Sequence, residues 1–443
     1  MPGEGTPVQV PPVSRNPITL TGVCLTTLSA FAFITFYIVQ ELGYLNSPYA
    51  GLYGFILLPA LFALGLLLIP LGMWREGRHR LRGGVPWRWP LIDLGSGTTR
   101  RVMAAVATLT LVNLAIVAIA GFGATHHMES TGFCGQTCHE PMKPQFVAHQ
   151  VGAHASVACV SCHVGPGASG TIKAKLNGTR QLYEVAAHNY PRPIRADGRV
   201  PAAVGTCLSC HRAGFTPRDT TRVIREYADD EANTETVTTL DMFTARAHWH
   251  ARPDVKVEYI SSAADPAVVT YVKASVGGAA PTEYLGPDVT GIPAGTLRQM
   301  DCTDCHSRPA HAFSATAERA VDRAIAAGEI SRTLPFVRKE IVAALKADYA
   351  TEAAALPAMS QHLTQFYASR DQALAPEVAR AISAAQRLYR TNVFPEMKVT
   401  WGTYVPQLGH TDAPGCFRCH DSERKSVTGK VVSQDCELCH KSR

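Results

Sequence analysis

The apolar positions divide the chain in two. Residues 18–40 form a run of 23 without a formal charge, and residues 50–74 and 102–125 are two more of the same kind. At about 1.5 Å rise per residue, each is long enough as a helix to cross a hydrocarbon layer of about 30 Å. One such run could be a buried helix of a soluble domain. Three within the first 125 residues, two of them bordered by arginine, predict membrane spans. Beyond Thr125 the pattern changes. Alternating stretches such as Val255-Lys256-Val257-Glu258-Tyr259-Ile260 and Val268-Val269-Thr270-Tyr271-Val272 predict strands. Ala-rich segments at 314–330, 336–349 and 376–389, with apolar residues three and four apart, predict helices. The Leu334-Pro335 and Ala375-Pro376 steps mark breaks between them.

Charge adds an orientation. Of 42 basic and 36 acidic residues, the part before Met128 holds 8 and 4, leaving 34 and 32 beyond it. That near balance supplies no basic field for a nucleic-acid partner. Between the first two runs there is no Lys or Arg. Between the second and third stand Arg75, Arg78, Arg80, Arg82, Arg88, Arg100 and Arg101, against Glu76 and Asp93. Positive loops stay inside, so the N-terminus is expected to be cytoplasmic and everything after Thr125 periplasmic, across a bacterial inner membrane. Trp74, Trp87 and Trp89 suit an interfacial belt. The first run has no small-residue cleavage site near its end and reads as a retained anchor.

Thirteen cysteines sharpen the picture. Cys24 stands alone in an apolar run, as a packing residue. The other twelve form six pairs, each followed by histidine: Cys134/Cys138-His139, Cys159/Cys162-His163, Cys207/Cys210-His211, Cys302/Cys305-His306, Cys416/Cys419-His420 and Cys436/Cys439-His440. Five are C-x-x-C-H, the attachment signature of c-type haem; the first has one more residue between its cysteines. Two thiols bond the porphyrin vinyl groups, and the adjacent imidazole reaches the iron. Zinc would need no histidine after every second cysteine. Disulfides across two-residue gaps would be strained. About six haems per chain are therefore expected. Of seventeen histidines, eleven lie outside the motifs: His79, His126, His127, His149, His154, His188, His248, His250, His311, His362 and His410. They exceed what six irons need as sixth ligands. His79 falls in the cytoplasmic loop. In His248-Trp249-His250 a strand would put both imidazoles on one face, as two ligands or as one ligand and a spectator. His126 and His127 are expected at the membrane surface, and His149, His188 and His362 as polar surface residues.

Several stretches resemble the NapC/NirT/NrfH family of membrane quinol dehydrogenases, and more closely its larger branch, the ImcH-like cytochromes. They are FCGQTCHEPMKPQF (133–146), HASVACVSCHVGPGASG (154–170), KAKLNGTRQLYEV (173–185), YPRPI (190–194), YADDEANT (227–234), CTDCHSRPAHAF (302–313) and FPEMKVTWGTY…GHTDAPGCFRCH (394–420). The third apolar run corresponds to the single anchor of small members, and the first two are additions. The resemblance implies that Met142, three residues past His139, ligates the first iron in place of His139. It also implies that the distal histidines are His154, His248, His250, His311 and His410, opposite His163, His211, His306, His420 and His440 in an order left open. Quinol would bind near the first haem and the lysine stretch, with Lys173, Lys175 and Glu184 as candidate catalytic residues. A solvated helix face is an equal reading of those three, and Gln181 stands near the position of the family's acidic residue.

The expected fold is mainly α: a membrane anchor of three helices (1–125), a three-haem region (126–212), a β-rich segment (213–300), a one-haem helical region (301–400) and a C-terminal two-haem region (401–443). The expected activity is quinol dehydrogenation, with electrons passing from the quinone pool along the haems to periplasmic cytochromes or a terminal reductase. Membrane lipids are further partners, and a homo-oligomer or a larger membrane complex stays open. The alternatives are a terminal multihaem reductase of a small oxyanion or sulfur compound, and a passive electron-transfer subunit docking a separate quinol oxidase.

Overall fold

The computed structural model describes residues 16–42, 44, 53–83, 95, 97–137, 139–165, 167–195, 203–211, 217–265, 267–370 and 372–443. Trp87, Arg88, Trp89, Asp93, Cys138 and the side chain of His139 lie outside the described residues. The chain forms two compact units, Met1–Thr137 and Cys138–Arg443.

The first unit carries three helices. α1 (Pro17–Glu41) starts where the Asn16 side chain accepts a hydrogen bond from the Thr19 amide at 2.9 Å, with proline in the first turn. A π-helical turn (Tyr53–Leu57) leads into α2 (Leu58–Arg82), and α3 spans Gly97–Glu129. All three are long and apolar enough to cross a membrane. The arginines expected in the second loop lie partly on helix: Arg75, Arg78, Arg80 and Arg82 occupy the last two turns of α2. Cations there suit the negative end of the helix dipole, and Arg80 pairs with Glu76 at 2.8 Å. α1 and α2 touch through small residues. A Cβ on Gly65 would stand 2.4 Å from Thr26 Oγ1, and one on Gly72 would stand 2.5 Å from Thr19 Oγ1. Buried Thr19, Thr26 and Ser29 line the same face, a pattern of close helix contact suited to lipid.

The second unit opens with short helices: α4 (His139–Gln150), α5 (Val160–His163), α6 (Gly167–Ala186) and α7 (Ala203–Cys207). A hairpin of β1 (Thr220–Tyr227) and β2 (Glu235–Met242) follows, then α8 (Thr244–Ala247) and a 3-10 turn (His248–Ala251). β3 (Val255–Ser261), β4 (Val269–Val276), β5 (Thr282–Leu285) and β6 (Arg298–Gln299) come next. The chain ends in α9 (Cys302–Cys305), α10 (Ala317–Ala326), α11 (Val337–Lys346), α12 (Glu352–Tyr367), α13 (Ala375–Asn392), β7 (Lys425–Ser426) and β8 (His440–Ser442). Helix therefore dominates, with a smaller strand segment. The sheets run β1-β2-β8 and β6-β3-β4-β5-β7, antiparallel at each pairing. The last strand of each comes from the chain's end, so the C-terminal motifs are stitched onto the strand segment.

The largest core lies within α10–α13, where Leu334, Ile341, Leu345, Met359, Leu363 and Tyr389 are almost wholly buried. α12 is absent from the sequence expectation; Pro357 inside its span breaks the pattern that marks its neighbours.

Candidate functional site

Each C-x-x-C-H motif folds into one tight turn. The amide of His163 donates to Cys159 O at 3.0 Å, and His211, His306 and His420 repeat the bond to Cys207, Cys302 and Cys416 at 2.8, 2.8 and 3.0 Å. Three-residue spacing on such a turn sets both cysteines on one side. The fourth motif is fixed further: Asp301 and Asp304 form a reciprocal cap on α9, and the Tyr259 hydroxyl donates to Asp304 at 2.5 Å. The first motif has one more residue between its cysteines, and the chain there takes a π-helical turn, Phe133–Thr137, whose wider circuit accommodates one extra residue.

Opposite every C-x-x-C-H histidine stands a second imidazole. Ring centroids are 6.2 Å apart for His163 and His311, 6.1 Å for His211 and His154, 6.1 Å for His306 and His248, 5.9 Å for His420 and His250, and 6.1 Å for His440 and His410. Two metal–nitrogen bonds of about 2.0 Å, plus about 1.1 Å from each nitrogen to its ring centroid, give about 6.2 Å. The pairs therefore fit an iron held between two axial imidazoles.

Hydrogen bonds orient the rings. Nδ1–H of His311 donates to Gln145 O at 2.9 Å, that of His154 to Pro309 O at 3.0 Å, that of His248 to Thr244 O at 2.8 Å, that of His250 to Ala247 O at 3.2 Å and that of His420 to Ser433 O at 2.8 Å. Each leaves Nε2 as the nitrogen available for coordination, an outer-shell arrangement usual for ligating histidine. Burial holds His163, His250 and His306 below the ordinary histidine range and takes His311 down to about 4, favouring the neutral imidazole that ligation requires. His410 lies flat on Phe417 at 4.3 Å.

Two expectations change. His149 is not a surface residue: it is 4% exposed, its ring lies 6.2 Å from His311, and its Nε2–H donates to Val157 O at 3.0 Å. That nitrogen is committed, so His149 is a supporting neighbour of the His163/His311 pair. The His248–His250 segment is a 3-10 turn and not a strand, so its two rings diverge, one to His306 and one to His420. His188 is exposed with a left-handed backbone, and His362 bonds Glu340 at 3.0 Å.

The second to sixth motifs adjoin in chain order. α5 and α9 both contact α7. Burial and the neighbouring Cys210 and Cys159 thiols raise Cys162; burial, Cys302 and Cys162 raise Cys207. Burial and Cys416 push Cys305 up to about 11, and burial and Cys416 raise Cys439. Met142 is half-buried on α4, one turn past His139. The α4 and α9 segments lock together where Ala312 N donates to Ala148 O at 3.1 Å, and a Cβ on Gly152 would sit 2.5 Å from Ala310 O.

Lys173, Lys175 and Glu184 all lie on α6. At 3.6 residues per turn, Lys173 and Glu184 share a face about 16 Å apart, and Lys175 points nearly opposite. Glu184 is paired with Arg180 at 2.5 Å. The structure does not gather these three into one cluster. Sequence reading missed the backbone acceptors, Gln145, Pro309, Thr244, Ala247 and Ser433, because a carbonyl leaves no signature in residue type.

Membrane helices joined to serial C-x-x-C-H turns, each faced by a second imidazole, define a membrane-anchored multihaem c-type cytochrome that transfers electrons through covalently bound haem. The chain is 34% identical over 446 aligned residues to cytochrome c-type protein ImcH of Geobacter sulfurreducens, covering 96% of this chain and 87% of that one. It belongs to the ImcH family of c-type cytochromes. No family model and no solved structure matches the chain.

Proposed function

We propose that the chain is an inner-membrane quinol dehydrogenase that passes electrons through six haems to periplasmic acceptors. The observation that carries this reading is the set of five facing imidazole pairs at 5.9–6.2 Å, arranged in chain order beyond a membrane anchor. Each haem c, when bound, supplies a one-electron ferric/ferrous couple. The six cysteine pairs would hold the porphyrins. His163/His311, His211/His154, His306/His248, His420/His250 and His440/His410 would ligate five irons, and Met142 the first. A full set of ligands suits electron transfer and disfavours reduction of a small oxyanion or sulfur compound, which needs an open position.

Oxidation of one quinol to quinone releases two electrons and two protons. The first motif starts five residues beyond the end of α3, at the membrane boundary, which makes it the entry point. Lys173 and Glu184, on one face of α6, are the polar candidates for the quinol head group, with Lys175 on the other face. The arginines around the α2–α3 connection favour an N-terminus in the cytoplasm and the motifs in the periplasm.

The test joins mass and redox spectra. Purified protein should carry six covalent haems by intact mass, and a reduced menaquinone analogue should bring up the ferrous α-band of several haems. A mass equal to the bare polypeptide, or no reduction by quinol where dithionite succeeds, refutes the reading.

A further inference from the structure

α1 and α2 meet closely through glycines. A Cβ on Gly22 would stand 2.8 Å from Gly65 O, and the contacts at Gly65 and Gly72 are tighter still. α3 is placed differently. It touches α2 and the Tyr53–Leu57 turn at few points, and Ala120 packs with Phe33 of α1. A Cβ on Gly121 would meet nothing within 4 Å. Between the three helices an apolar cleft of about 150 Å³ remains, lined by Phe33, Leu58, Phe62, Ile116, Ala120 and Gly121.

The cleft lies toward the haem-bearing end of the anchor. Phe33 stands eight residues before the end of α1, Leu58 opens α2, and Ile116 to Gly121 lie in the last third of α3. All are in the half of the membrane unit nearer Cys134. Gly121 precedes Cys134 by 13 residues, about 20 Å along a helix axis. A cavity of about 150 Å³ lined by such side chains stays dry and takes a hydrocarbon of benzene's size, close to one isoprene unit.

We propose that the cleft between α1, α2 and α3 seats the isoprenoid tail of the quinol oxidised at the first motif. The inference rests on the quinol dehydrogenase reading and explains why two helices are added, since with α3 they make a wall that a single anchor cannot. The occupant is the prenyl chain because the site lies within the membrane spans, has no charged lining residue, and stands below the entry point at a depth that a tail would reach. Small residues at 63, 120 and 121 leave the space, and their enlargement should close it.

The experiment uses the full haem-loaded protein in proteoliposomes. A photoreactive prenylquinone should label peptides containing 58–63 or 116–121, and excess unlabelled prenylquinone should suppress that label. Gly121→Leu should raise KM for a prenylated quinol about three- to tenfold, because the tail leaves lipid for the cleft and only packing is at stake. KM for a tail-less quinol with the same head group should stay within twofold. Ala63→Leu, on the opposite wall, repeats the test if Gly121→Leu fails to accumulate. Labelling confined to other segments, or a label displaced by phospholipid and not by prenylquinone, overturns the proposal. So does an equal KM change for both quinols. Specific labelling of the cleft without any quinol turnover would keep the site and refute the dehydrogenase reading instead.

Discussion

Asn233 offers a test of how the strand hairpin is fastened to the helical core. It is wholly buried, and its backbone takes the left-handed conformation at φ 47°, which asparagine tolerates far better than most residues. Its Nδ2 donates to Arg332 O at 3.0 Å and to Leu334 O at 2.9 Å, and its Oδ1 accepts from the Arg338 amide at 3.1 Å. Asn233→Ala removes all three bonds; Leu334 O keeps the Val337 amide at 3.2 Å, whereas Arg332 O and the Arg338 amide lose the partner that Asn233 supplies. At about 1 kcal/mol or more for each, plus about 1 kcal/mol for alanine in that backbone region, the loss is roughly 3–5 kcal/mol. For a unit of this size that corresponds to a melting temperature lower by about 10 °C. Circular dichroism of solubilised protein at matched haem content measures it. Asn233→Gly should recover about 1 kcal/mol by lifting the backbone cost alone. If Asn233→Ala melts within about 2 °C of the parent, the YADDEANT stretch is not the clasp described here.

Three further outcomes follow from the site and the anchor. His311→Leu should turn one haem from low to high spin in the electron paramagnetic resonance spectrum, whereas His149→Gln should keep every haem low spin and cost about 1–3 kcal/mol of stability. Met142→His should lower the potential of one haem in a spectroscopic redox titration, since imidazole replaces the thioether, and should slow quinol oxidation at unchanged haem content; an unaltered titration removes Met142 as ligand. Gly65→Leu forces α1 and α2 apart, and the protein should accumulate in membranes at a small fraction of the parent level by immunoblot.

What could be read from residues alone follows from the range of each interaction. Membrane helices announce themselves by local composition, and C-x-x-C-H by covalent chemistry within five residues. Distal ligands are another matter. The histidines selected through family resemblance are those that face the motif histidines, but their pairing depends on the path of the chain: His154 meets His211 further along, whereas His311 turns back to His163. No periodicity encodes that. A strand over 248–250 does not form because the segment continues the helical turn begun at Thr244, where the Ala247 amide donates to Phe243 O at 2.9 Å, until Arg252-Pro253 ends it, and that turn separates two rings that a pleat would align. The burial of His149 is hidden from sequence because a polar residue on a short helix looks solvated until the loop carrying Val157 folds over it.

Axial ligation between distant segments, as proposed above, would let so little core hold the haem-bearing half together. Between residues 139 and 211, Pro141, Pro144, Ala148 and His149 alone are buried among the described residues. A stretch of this length cannot offset its conformational entropy with four side chains. In contrast, α10–α13 buries more than a dozen apolar residues against one another. Haem attachment would tie residue 163 to 311 and residue 211 to 154, closing loops as a disulfide does and restricting the unfolded chain. The two regions should then respond differently to loss of haem. In protein produced without the haem-attachment machinery, amide hydrogen exchange should become fast across 139–211 and stay slow across the helices of 317–392. Equal loss of protection in both regions would show that the helical core depends on the haems as well, and the division of labour argued from burial would fall.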